Sequence, residues 1–140
     1  MKKTTLICAM LIPILSIAQR GKVYDNLTLN SKILKMERKY AVYLPPDYDT
    51  SQRSYPVLYL LHGGGDDQTG WVQFGEVLHI TDQAIKDGKS TAMIIVMPDA
   101  NTGERGYFNR PGGNWNYEDF FFEELMPFVE GKYRIKGEKR

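Results

Sequence analysis

Two short stretches of the chain are apolar at nearly every position, Tyr55 to Leu61 (YPVLYLL) and Ala92 to Ala100 (AMIIVMPDA), and they limit the possible folds more than any other feature. A strand with one face in water alternates apolar and polar residues, so a run without alternation fits a strand buried on both faces of a mostly parallel sheet. Parallel neighbours need a crossover connection. The segment between the runs supplies one: from Glu76 to Asp87, Val77, Leu78, Ile80, Ala84 and Ile85 fall on one face of a helix, Glu76, His79, Gln83 and Lys86 on the other, and Gly88 follows as a stop. Strand, helix, strand, with both runs as central strands, predicts an α/β domain.

The flanking segments extend this unit. Leu27 and Leu29 share one parity and Tyr40, Val42 and Leu44 another, which predicts two extended segments, about 23–30 and 33–44, with Asn30-Ser31 as a turn or bulge between them and Pro45-Pro46 as the end of the second. A second helix is predicted from about Tyr117 to Glu130. Asn116 offers an N-cap, Glu118 and Asp119 suit the positive end of the helix dipole, and Phe120, Phe121, Leu125, Phe128 and Val129 form its buried side, with Gly131 as the stop. Pro127 is expected to kink this helix or tighten its last turn. The closing YRIKGEKR stands where the alternation calls for another strand.

Composition bounds the rest. At 42% hydrophobic and 25% charged, 140 residues make about one globular domain. Residues 1–18 have the form of a secretory signal peptide: Lys2 and Lys3 lead, Leu6 to Ile14 is apolar, and Ser16-Ile17-Ala18 predicts cleavage after Ala18. The apolar run is too short to span a bilayer and contains Pro13. The mature domain is then 19–140, secreted or periplasmic and free of the membrane. Cys8, the only cysteine, is lost with the signal, so no disulfide or thiolate metal site is expected. Sixteen basic residues then face seventeen acidic ones, a formal charge of −1 that argues against nucleic acid or an anionic membrane as the main partner.

The first apolar run breaks into His62-Gly63-Gly64-Gly65. Glycines there serve either a tight turn or a loop whose amides face a ligand. A phosphate-binding loop would end in Gly-Lys-Ser/Thr, whereas Asp66-Asp67 follows and would repel phosphate. Those two carboxylates lack the further spaced ligands of a calcium site and suit loop capping. No metal or organic cofactor is implied. Asp99, after the second run, either orders Asn101 and the following loop or merely ends the strand. Trp71, Tyr107, Phe108, Trp115 and Tyr117 offer flat apolar faces suited to a sugar ring or phenolic group, although Trp71 and Trp115 could equally pin loops. Arg105 and Arg110 read as solvated loop charges or anion contacts, and His79 as a solvated residue on a helix.

Four blocks in order, KYAVYLPPDYD, YPVLYLLHGGGDDQTGW, IIVMPDA and YEDFFFEELMPFVEGKY, resemble the amino-terminal half of the Putative esterase (esterase D and feruloyl esterase-like) family of α/β-hydrolases. The likeness covers nearly all of residues 23–135. It implies an α/β-hydrolase fold, a mostly parallel sheet with helices on both faces entered through an antiparallel pair, interrupted here before the fifth strand and the G-x-S-x-G nucleophile elbow. No G-x-S-x-G occurs in the 140 residues, so neither the triad serine nor its acidic and histidine partners is expected among them.

The resemblance also implies site roles. Gly64 would donate one amide of an oxyanion hole, with His62, Gly63 and Gly65 supporting it. His62 would hold the loop and not act as the base, since the family's base lies near the carboxyl end of the domain. Trp71, Asp99, Asn101, Tyr107 and Trp115 are the substrate-binding candidates. The implied parent is a secreted serine carboxylic-ester hydrolase acting on an acylated carbohydrate or small ester, feruloyl or acetyl-xylan esterase-like, of which this chain alone would be inactive. An acyltransferase or siderophore esterase of the same fold, or a carbohydrate-binding protein without catalysis, stays open.

Overall fold

The computed structural model describes residues 19–100 and 106–137. The signal segment, Asn101 and Arg105 lie outside the described residues.

The chain enters through a hairpin. β1 (Lys22–Ser31) and β2 (Met36–Leu44) pair antiparallel from Lys22 opposite Leu44 to Ser31 opposite Met36, with a bulge between Tyr24 and Leu27. The turn lies at residues 32–35 and not at Asn30-Ser31, and Lys35 takes a positive φ of 54° to close it. A distant carboxylate holds this turn: Glu124 accepts hydrogen bonds from Ser31 Oγ and from the amides of Lys32 and Ile33. Sequence alternation could not register a turn fixed by a residue ninety positions away.

β2 pairs antiparallel with β4 (Ile94–Pro98), and β4 pairs parallel with β3 (Val57–Tyr59), giving the order β1-β2-β4-β3. All five residues of β4 are buried, as its unbroken apolar run predicts. β3 differs from the prediction of a central strand. It is three residues long, it forms the sheet's edge among the described residues, and Leu58 is 42% exposed. Lack of alternation marks a strand that both faces could cover, not one whose neighbours are in place. Beside it a first parallel bridge has formed, Tyr55 with Ile135: the Tyr55 amide donates to Arg134 O at 2.8 Å and the Lys136 amide to Tyr55 O at 2.7 Å.

The crossover from β3 to β4 carries α1 (Gly70–Gln73) and α2 (Val77–Lys86). Val77 and Thr81 are buried and Leu78 and Ile85 pack on the sheet, whereas Ile80, expected on the same face, is 62% exposed. At ~100° per residue Ile80 falls well outside the Val77–Thr81–Ile85 stripe. Gly88 ends α2 as predicted, with φ of 68° and hydrogen bonds from Gly88 and Lys89 amides back to Ile85 O and Ala84 O.

The second helical segment is continuous but not uniform: α3 (Tyr117–Asp119), a π-helical stretch (Phe120–Leu125) and α4 (Met126–Lys132). Pro127 therefore does not tighten the helix. The turn ahead of it widens, and the Met126 amide reaches Phe121 O, five residues back. Nor does Asn116 cap the segment through its side chain. Asn109 does so instead, accepting from the Asp119 amide at 3.2 Å while its own amide group donates to the Asp119 carboxylate at 2.7 Å. Gly131 lies inside α4, which ends at Lys132 when Tyr133 turns extended.

β2 joins the two cores. Tyr40, Val42 and Leu44 pack with Trp115, Tyr117, Phe120, Leu125 and Val129, and Ala41 and Tyr43 with Val77, Ile95 and Met97. Helices thus cover both faces of a mixed sheet, the α/β-hydrolase arrangement. Among the described residues no helix is long and apolar enough to cross a membrane.

Candidate active site

Because β3 and β4 run parallel, their carboxyl ends open at the same edge of the sheet, and the two segments that follow, His62–Gly65 and Asp99–Ala100, come together there. His62–Gly65 and Ala100 line a pocket of about 220 Å³ with Gly106 and Tyr107. Of the three consecutive glycines in the loop, Gly65 alone needs glycine for its backbone, at φ of 85°. A Cβ added at Gly63 or Gly64 would meet nothing within 4 Å, so those glycines keep a face of the loop bare and do not relieve a clash. Among the described residues the amides of Gly63, Gly64 and Gly65 have no acceptor.

His62 is fixed on both ring nitrogens. Its side chain is 5% exposed, Nε2 accepts from the Ala100 amide at 2.9 Å, and Nδ1 lies 2.8 Å from Gly63 O. A carbonyl can only accept and an amide only donate, so these partners place the ring proton on Nδ1. Neither nitrogen is left for a substrate.

Asp99 does more than end β4. Its carboxylate lies 2.8 Å from Arg38 Nη2 and, through the other oxygen, 3.8 Å from His62 Nε2; its carbonyl accepts from Arg38 Nη2 and, at 2.9 Å, from the Tyr117 hydroxyl. Arg38 is buried in β2, with Trp115 and Tyr117 rings 5.6 and 6.0 Å from its guanidinium. Sequence reasoning passed over Arg38. The available signal was its parity, since it shares the core-facing positions of Tyr40, Val42 and Leu44.

Tyr107 closes the pocket: its hydroxyl accepts from the His62 amide at 2.8 Å and donates to His62 O at 3.2 Å. Burial pushes its phenol up to about 12, and the nearby Asp99 charge adds to the shift. Trp115 takes the other role left open for it: only 2% exposed, it packs in the core and donates from Nε1 to Gly106 O at 2.8 Å. Trp71 likewise pins a loop, donating to Leu61 O at 3.0 Å, but keeps more than a third of its surface exposed. Further apolar surface near the pocket comes from residues not singled out for that purpose, the rings of Phe121 and Phe122 and the side chain of Leu61, which with Tyr107, Phe108 and Glu118 line an adjoining hollow of about 200 Å³.

The paired carboxylates serve the loop itself. Asp67 accepts from both the amide and the hydroxyl of Thr69 at 2.7 Å, which holds its carboxyl below the usual range, and Asp66 accepts from the Asp67 amide. The pocket therefore offers backbone donors and an immobilised histidine, and no serine among its lining residues. A larger hollow of about 600 Å³ runs along the outer flank of β3, past Val57, Tyr59, Met126 and Ile135, away from this chemistry.

The chain is 42% identical over 101 residues to an esterase of Mycobacterium tuberculosis, covering 69% of this chain and 20% of the relative. It is 35% identical over 107 residues to an endo-1,4-beta-xylanase/feruloyl esterase of Xylanibacter ruminicola, covering 70% and 14%. A solved ferulic acid esterase superposes with a TM-score of 0.80 at 40% identity, over 86% of this chain and 48% of that one. The chain thus spans about half of that solved structure and a fifth or less of these two curated relatives. The model of the Putative esterase family matches residues 31–140, and the chain belongs to that family of α/β-hydrolase esterases.

Proposed function

We propose that residues 19–140 form the oxyanion side of a secreted serine carboxylic-ester hydrolase acting on acyl groups carried by carbohydrate, of the feruloyl or acetyl-xylan type, with residues 1–18 as its signal peptide. The observation that carries this reading is the bare loop at the carboxyl end of β3, where the Gly64 amide lines a pocket and has no acceptor among the described residues. Acyl transfer requires such donors where negative charge develops on the carbonyl oxygen. Relatives named feruloyl esterase support the ester class, and the exposed rings of Phe108 and Phe122 beside the pocket suit a phenolic acyl group.

The bridge between Tyr55 and Ile135 supports the placement of the missing nucleophile. Continued in that parallel register, the chain would run along β3 and draw level with Gly63 about eight residues beyond Ile135. A serine on a strand-to-helix elbow there would stand beside Gly64. Its Oγ would attack the ester carbon while a histidine takes its proton. The carbon–oxygen bond to the alcohol then breaks, the alcohol leaves with that proton, and water releases the acid from the acyl-enzyme.

The test uses the product of the whole gene, assayed with p-nitrophenyl acetate and methyl ferulate. Gly64→Pro removes one amide hydrogen and should lower kcat by about 10²–10³ with KM little changed. Unchanged kcat in a folded Gly64→Pro protein would contradict the role of Gly64, and no ester hydrolysis by the unaltered protein would contradict the function.

A further inference from the structure

We infer that Gln68 is a positioning residue: it ties the glycine loop to the bulge of β1, and this tie sets where the amides of Gly63, Gly64 and Gly65 stand at the edge of the sheet. Its value to catalysis rests on the oxyanion reading of the loop; the tie itself does not.

The loop is well bonded within itself. The Asp66 amide donates to Gly63 O at 3.3 Å, the Asp67 carboxylate takes the amide and hydroxyl of Thr69, and the Gly70 amide donates to Asp67 O at 3.3 Å. A Cβ added at Gly70 would strike the Asp66 carboxylate, so the turn closes on itself with no space to spare. These contacts fix residues 63–70 relative to one another but not relative to the sheet. His62 secures the entry of the loop through Ala100 and Tyr107, and Trp71 secures its exit through Leu61 O. Between the two, among the described residues, a single hydrogen bond runs from residues 64–69 to a strand: Gln68 Nε2 donates to Asp25 O at 3.3 Å.

Both ends of that bond depart from the ordinary. Gln68 is 5% exposed, and an amide side chain is buried at a loss unless its hydrogens find acceptors. Asp25 lies where β1 leaves regular pairing. Tyr24 opposes Val42 and Leu27 opposes Tyr40, so Asp25 and Asn26 together face Ala41. A bulge takes its extra residue out of the ladder and re-aims the groups beside it. Here it supplies the carbonyl that Gln68 needs. In the order β1-β2-β4-β3 the loop leaves one end of the sheet and β1 forms the other, so the bond reaches past both intervening strands. A carboxylate in place of the amide would set acceptor against acceptor, and an aliphatic chain would fill the space without holding the loop.

The test uses the product of the whole gene, with methyl ferulate turnover and deuterium uptake as its readouts. Gln68→Leu keeps the volume and removes the donor: kcat should fall by about 10-fold with KM little changed. Deuterium uptake should rise at residues 63–69 and stay as it was in β4. Deleting Asn26 restores one-for-one pairing with Ala41 and should give the same two changes, and joining it to Gln68→Leu should add nothing further. A residue that only stabilised the fold would lower the melting temperature while leaving kcat in place. Unchanged kcat or unchanged loop uptake in folded Gln68→Leu overturns the inference, as do losses that multiply in the double variant. If the unaltered protein hydrolyses no ester, the proposed function fails and loop uptake alone decides the tie. If Gln68→Leu does not fold, Gln68→Met and the Asn26 deletion decide by the same readouts, raised loop uptake with lowered kcat supporting the inference and unchanged values overturning it.

Discussion

The face of the sheet that receives Tyr40, Val42 and Leu44 is filled by rings, with Trp115, Tyr117 and Phe120 packed edge and tilt against one another, whereas the face of Ala41 and Tyr43 is closed by the aliphatic stripe of α2. The two faces also end their polar contacts in different places. On the ring face, Tyr117 and Arg38 hold Asp99, Tyr107 holds His62, and Trp115 holds Gly106. On the α2 face, Asp82 ties the Tyr43 hydroxyl to the amide of Gly21, at the start of the domain. The difference teaches that one core supports the pocket and the other anchors the chain's entry.

Truncation on each face tests that division. Trp115→Ala should cost about 4 kcal/mol in urea denaturation, since it empties the largest fully buried side chain of the ring face. It should also shift the His62 ring signals, because the loop carrying Gly106 and Tyr107 loses its anchor. Met97→Ala on the other face should cost about 3 kcal/mol and leave those signals in place. Equal disturbance of His62 by both variants would abolish the distinction.

A smaller effect belongs to Tyr107. Its phenol titrates near 10 when unfolded and is pushed up to about 12 in the fold, so its contribution is complete below pH 10 and is lost as pH rises from 10 toward 12. Denaturation midpoints measured across that range should fall less steeply in Tyr107→Phe. A parallel decline in both proteins would show that the pocket does not bury this hydroxyl. The smallest effect is expected at Ile80, which projects from α2 into solvent: Ile80→Lys should change stability by less than about 0.5 kcal/mol. A cost of several times that would mean the outer surface of α2 is covered.

Much of this was legible in the sequence because it depends on local pattern. The unbroken runs marked β3 and β4, the period of Val77, Thr81 and Ile85 lay within a visible helix, and three glycines after an apolar run marked the loop. What stayed hidden depends on residues far apart in the chain. The turn at 32–35 is held by Glu124, the cap of α3 comes from Asn109, and the apolar run of β3 could not disclose that, among the described residues, its outer side is met by the bridge from Ile135 and not by a full strand. Pro127 showed that the helix would deviate but not in which direction. Around the pocket, the place of His62 directly before the glycines made it visible as a loop neighbour, while Arg38 and Asp99, 61 positions apart, become one unit only when β2 lies against β4.

The central claim is the proposal that a serine reaches the glycine loop along the outer flank of β3. The most direct measurement is the nucleotide sequence of the gene beyond the codon for Arg140. An in-frame continuation encoding G-x-S-x-G within about 20 residues is predicted, and the register of the Tyr55–Ile135 bridge favours the first ten of them. A stop codon there, or a continuation with no serine between such glycines, would contradict the account.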